Sequence, residues 1–172
     1  MNLKYMIAFA LMLIASMSRL LPHPYNFTPI AAITIFSSTY FDKKISIIVA
    51  LFSMLISDYF LGFYSGMEWI YGSMIIGTFL GYSLKNDVSI RKIGMVVLAN
   101  SFSFYLITNF GVWLNSLMYE KSISGLITCY VAAIPFYRNS LAGDVFYTFS
   151  IFGVAGMLHL FNKTKNYSVV NQ

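Results

Sequence analysis

Two aspartates stand inside apolar runs, where a carboxylate is expensive to bury. Asp58 lies near the end of LFSMLISDYFLG, and Asp144 lies within NSLAGDVFYTF. Ionisable groups in such surroundings usually face a partner or a water-filled space. Arg19 and Arg138 are the candidate partners. An Arg19–Asp58 or Arg138–Asp144 bridge would lock two helices together. The same four groups would also give charge-assisted hydrogen bonds to a polar ligand, and the two readings are compatible, because a paired charge can still line a pocket. Further polar groups fall near them in the chain: His23 and Asn26 in RLLPHPYNFTP, Asn109 in LITNFG, and Asn139 beside Arg138. Tyr64, Trp69 and Trp113 would stack on the apolar part of a ligand; they equally fit the aromatic belt of a membrane interface.

Other chemistries find no footing. His23 sits between Pro22 and Pro24 with no histidine or cysteine at ligand spacing, so no metal is expected. Cys129 is the single cysteine and reads as a buried thiol. There is no phosphate-binding G-x-x-x-x-G-K-[ST] loop, no H-E-x-x-H and no G-x-S-x-G. The chain is therefore not expected to be an enzyme or to carry a cofactor; a lipid-modifying enzyme is a distant third reading. No basic run reaches five residues, which argues against a nucleic-acid partner.

The scaffold for these groups can be read from composition. The 172 residues are 58% hydrophobic and only 10% charged, with a mean hydropathy of +0.70. Soluble domains carry about 25% charged residues, and one this size could not hide so much apolar surface. An all-α integral membrane protein is expected, a single domain over 1–172 in contact with the lipid bilayer. Runs between charges predict six transmembrane helices, at about 3–21, 28–41, 44–63, 68–84, 92–116 and 139–161. Thr28 is placed as the N-cap of the second, with Pro29 at its first position. Segment 122–137, only 16 residues long and closed by Pro135, is apolar enough to raise the question of a seventh span. With six helices and the N-terminus inside, Lys4, Lys43, Lys44, Lys85, Arg91, Lys92, Lys163 and Lys165 are cytoplasmic, against Arg19, Lys121 and Arg138 outside. A seventh span worsens that balance, so 122–137 is expected as a re-entrant or interfacial hairpin on the outer face. Under this topology both termini are cytoplasmic and the candidate residues gather at the outer side. His159, near the inner end of the last helix, reads as interfacial, and the tail after Phe161 as polar and frayed.

The segments RLLPHPYNFTPIAAI, LISDYFLGFYSGMEW, LITNFGVWLNSLMY and CYVAAIPFYRNSLAGDVFYT resemble a bacterial family of small membrane proteins that is assigned to transport without an established function. More distantly, the chain is similar to the substrate-binding S components of energy-coupling-factor vitamin transporters. The shared points are six helices, a polar loop after the first, and the run Ser57-Asp58-Tyr59-Phe60-Leu61-Gly62. That resemblance implies a small-molecule ligand (a vitamin or related micronutrient) held in an outward-facing pocket. It also implies uptake across the bacterial cytoplasmic (inner) membrane, with a coupling protein and ABC-type ATPases as partners. One feature departs from it: Ala8, Ala10 and Ala15 do not give the A-x-x-x-A docking spacing on the first helix, so docking elsewhere or solitary action stays open. The alternative is an accessory or assembly subunit of a membrane complex, in which the polar cluster is structural.

Overall fold

The computed structural model describes residues 3–157 of the chain. Among them are six α-helices and one 3-10 turn: α1 (Leu3–Leu20), α2 (Ile30–Tyr40), α3 (Lys43–Leu61), α4 (Met67–Tyr82), the turn Ser83–Lys85, α5 (Ile90–Asn115) and α6 (Ile123–Met157). Helices α3, α5 and α6 are each long and apolar enough to cross a membrane, while α1 (over Tyr5–Leu20) and α2 are shorter apolar helices. The expected inner end of the last helix to 161, His159, Lys163, Lys165 and the polar tail lie outside the described residues.

The arrangement is built around α2. This helix touches α1, α3, α4, α5 and α6, and residues 30–39 are all buried. A helix buried on every side must be small and must satisfy its own polar groups. The sequence IAAITIFSSTY does both: Ser38 and Thr39 donate to the carbonyls of Thr34 and Ile35, at 2.7 and 2.9 Å, one turn back. Helix α4 supplies the close neighbour. A Cβ on Gly81 would stand 2.7 Å from Ser38 Cβ and 3.0 Å from the Ile35 carbonyl oxygen, and one on Gly77 would collide with Asn100 Oδ1. Gly77 and Gly81 make the small-xxx-small spacing that lets helix backbones approach in apolar surroundings.

Polarity runs from inside to outside in the order opposite to that of a water-soluble bundle. Ser16, Ser53, Ser57, Asp58, Thr78, Asn100, Ser101 and Asp144 are buried, while Phe9, Ile14, Phe52, Leu55, Phe79, Leu98 and Phe102 are exposed. Buried hydroxyls stitch helices together: Ser16 Oγ donates to the Ser53 carbonyl at 2.9 Å, and Ser46 Oγ to the Ser37 carbonyl at 2.9 Å. At the end where α3 begins and α4 finishes, Lys43 lies over the rings of Phe79 and Tyr82, and Lys85 over Tyr82.

Two expectations are corrected. First, 122–137 is not a re-entrant hairpin: residues 123–157 form one helix with Pro135 inside it. Ser122 Oγ accepts from the Gly125 N–H at 3.1 Å and caps its start. On the turns before the proline, α5 and α6 are tied together: Tyr105 Oη donates to the Tyr130 carbonyl, Tyr130 Oη to the Leu106 carbonyl, and the Cys129 thiol lies 3.4 Å from the Asn109 carbonyl. Second, Pro29 and not Thr28 occupies the N-cap of α2, with no side-chain cap, and the helix is 11 residues long. At 1.5 Å per residue that is roughly 16 Å, about half a hydrocarbon core. Helix α5 runs unbroken through Asn109-Phe110-Gly111, and Gly111 admits the Trp69 ring, which occupies the place of a Cβ.

The α2–α4 contact yields the first prediction. Gly81→Ala should lower stability by about 1–3 kcal/mol, the usual range for overpacking, read as a drop in the thermal unfolding midpoint in detergent. Gly72→Ala on the same helix meets nothing within 4 Å and should be neutral or slightly stabilising, since alanine favours helix.

Candidate functional site

Because α2 is short, the chain must descend between the end of α1 and Ile30, and residues 21–29 do so as an irregular loop. The Phe27 N–H donates to the Pro24 carbonyl at 3.0 Å, and Asn26 takes a left-handed φ of 61°. The Phe27 ring packs on Phe146 and Tyr147 of α6, with centroids 6.0 and 5.3 Å apart. Gly143 permits this: an ideal Cβ there would lie 3.2 Å from Phe27 Cα. The loop is thereby fastened to α6 at Phe27, while His23 and Tyr25 stay exposed.

Beneath the loop lies a cavity of about 430 Å³. Its walls include Arg19, His23, Tyr25, Asn26 and Thr28 from the α1–α2 segment, Met54 and Tyr64 from the α3 side, Met74 of α4, Phe104 of α5, and Ser140 and Asp144 of α6. A few polar groups converging on a mainly apolar hollow of this size is the usual form of a small-molecule site. A second hollow of about 240 Å³ adjoins it, sharing Asn26, Ile70, Phe104 and Ser140 and adding Tyr105, Asn109 and Tyr137.

Arg19 and Asp58 form the ion pair that the sequence offers as one of its readings. Arg19 Nη1 lies 2.5 Å from Asp58 Oδ1 and donates also to Ser57 Oγ at 2.6 Å. Tyr71 Oη donates to the other carboxylate oxygen at 2.9 Å. Asp58 is wholly buried and Arg19 is 16% exposed toward the cavity. The carboxylate is thus engaged inside the protein, tying α1, α3 and α4, and it holds Arg19 at the wall. Asp144 is different. It pairs with Ser101, whose hydroxyl donates to Oδ2, and not with Arg138; among the described residues no cation bridges it.

Of the residues singled out from sequence, the structure therefore gathers Arg19, His23, Asn26, Tyr64 and Asp144 on one cavity, with Asp58 directly behind Arg19. Asn109 lines the neighbouring hollow, its amide donating to the Tyr105 carbonyl at 2.8 Å. Trp69 packs against Gly111 and Phe110. Trp113 donates to the Glu120 carbonyl at 2.8 Å, and Lys121 lies over its ring; both belong to the α5–α6 connection. Arg138 and Asn139 line neither hollow. Cys129 is buried against Asn109 of α5 and lines neither hollow. Sequence reading passed over Met54, Met74, Phe104 and Ser140. Only Ser140 carried a signal, standing one helical turn before Asp144.

Comparison with known proteins then places the chain. A family model described as a family of unknown function, DUF6580, matches residues 1–167. The chain belongs to that family. No curated protein and no solved structure matches it. In this DUF6580 chain the loop, the ion pair and Asp144 all fall within the matched residues.

The ion pair gives the second prediction. Asp58→Asn leaves the Arg19 guanidinium without its counter-charge, and should cost about 3 kcal/mol or more. Tyr71→Phe removes one hydrogen bond and should cost about 1–2 kcal/mol. Thermal unfolding of both variants beside the native chain checks the order.

Proposed function

We propose that this chain is an integral membrane protein of the bacterial inner membrane that binds a small molecule from the outer side for uptake, in the manner of an S component. The observation that carries the proposal is the 430 Å³ cavity, roofed by the polar 21–29 loop and lined by Arg19 and Asp144. The apolar exterior and the buried serines, threonines and aspartates support the membrane setting, since hydrocarbon satisfies the one and protein contacts the others. In this reading the second crossing is completed by α2 and the loop together. Irregular backbone at membrane depth is acceptable there because it lines a cavity. Lys43, Lys44, Lys85, Arg91 and Lys92 mark the cytoplasmic end, both termini included, and the 21–29 loop marks the outer end. A vitamin or related micronutrient is the ligand class, and a coupling protein with ABC-type ATPases is the energising partner unless the chain acts alone.

The second reading, an accessory or assembly subunit of a membrane complex, draws on the Arg19–Asp58–Tyr71 cluster, which satisfies itself without a ligand. Native mass spectrometry of the purified protein separates the two. A co-purified small molecule is expected; its absence, together with no thermal stabilisation by a broad panel of vitamins, would sink the transport reading. Topology has its own check in a Cys129→Ser background. Single cysteines replacing Lys43 and Asn86 should be labelled only from the cytoplasm, and one replacing Lys121 only from outside.

A further inference from the structure

Among the cavity walls, Arg19 and Asp144 bear the guanidinium and the carboxyl group, with His23 exposed at the rim. Their situations are unequal. Arg19 is neutralised by Asp58, so that pair contributes no net charge. Asp144 is 4% exposed and accepts from the Ser101 hydroxyl. No Lys, Arg or His among the described residues forms an ion pair with it. An ionised carboxylate has about four acceptor positions, and burial without a counter-ion is costly. An ionised Asp144 is therefore short of one counter-charge, and its open side is the cavity.

We propose that Asp144 anchors a protonated amine carried by a small, mainly apolar ligand seated in this cavity. The inference rests on reading the cavity as a ligand site. The rest of the lining fits such a guest. Tyr64 and Phe104 offer ring faces that attract a cation, and Met54 and Met74 offer deformable apolar contact to its body. Ser140, one turn before Asp144 on α6, adds a hydroxyl beside the anchor. A neutral guest would leave the carboxylate uncompensated, and an anionic one would meet its repulsion.

The test uses the full chain in phosphatidylglycerol nanodiscs and three matched probes: 2-phenylethylamine, 2-phenylethanol and 3-phenylpropionate. Titration calorimetry should find the amine bound at least tenfold more tightly than the alcohol, and the carboxylate weakest. Asp144→Asn should bring the amine down to the level of the alcohol. Equal binding of amine and alcohol, preference for the carboxylate, or no binding of any probe would overturn the proposal. The three-probe comparison on the unaltered chain decides the matter even where Asp144→Asn does not fold. Repeating the titration with phosphatidylethanolamine in the discs identifies the source of the amine: weakened probe binding points to a lipid headgroup, and unchanged binding to a soluble amine. The cavity reading fails separately. A co-purified molecule that lacks a cationic group would leave that reading standing and remove only the amine.

Discussion

The structure depends on one constraint: a helix of eleven residues is enclosed on all sides by five longer ones. Enclosure demands self-satisfied hydroxyls, which α2 has, and a neighbour without a Cβ at the contact, which α4 provides through Gly81. Shortness has the larger effect. All five surrounding helices are longer than α2, by five residues or more. The space above it must be filled by irregular chain or left hollow, and both happen. The loop and the cavity are thus two results of the same missing helical turns.

Much of this was legible in the sequence because charges and glycines bound apolar runs sharply. Helices α1, α3, α4 and α5 begin and end within a few residues of the positions read from the chain, and the Arg19–Asp58 pairing is one that the sequence itself suggests. The misread hairpin and the Arg138–Asp144 pairing have a common origin in Pro135. Treating proline as an end breaks the helical register between residues 123–137 and residues 138–157. Once the helix is continuous, Arg138 and Asp144 stand six residues apart, or about 240° around the axis, and cannot share a face. Ser140 and Asp144, four apart, can. The tyrosines that tie α5 to α6 just before the proline, Tyr105 and Tyr130, act through backbone carbonyls on a neighbouring helix, a contact that no local pattern announces.

The two buried aspartates illustrate how one residue type takes two roles by environment alone. Asp58 lies three residues before the end of α3 and meets a guanidinium, a phenol and no free space. Asp144 lies mid-helix and meets one hydroxyl and an open hollow. The first joins helices and fixes the orientation of Arg19. The second is the group whose needs the fold leaves unmet.

The manner in which the loop is fastened bears on any occupant of the hollow. Its lower half is pinned where the Phe27 ring meets Phe146 and Tyr147, beside the bare backbone of Gly143. Its upper half, from Leu21 to Tyr25, is stiffened by Pro22 and Pro24 but lies exposed at the surface. The Tyr25 ring nonetheless meets Phe136 edge-on, with centroids 6.3 Å apart, so both halves of the roof touch α6 through aromatic rings. The rings that fasten the roof are thus distinct from Arg19 and Asp144, the groups that would set how firmly a guest is held.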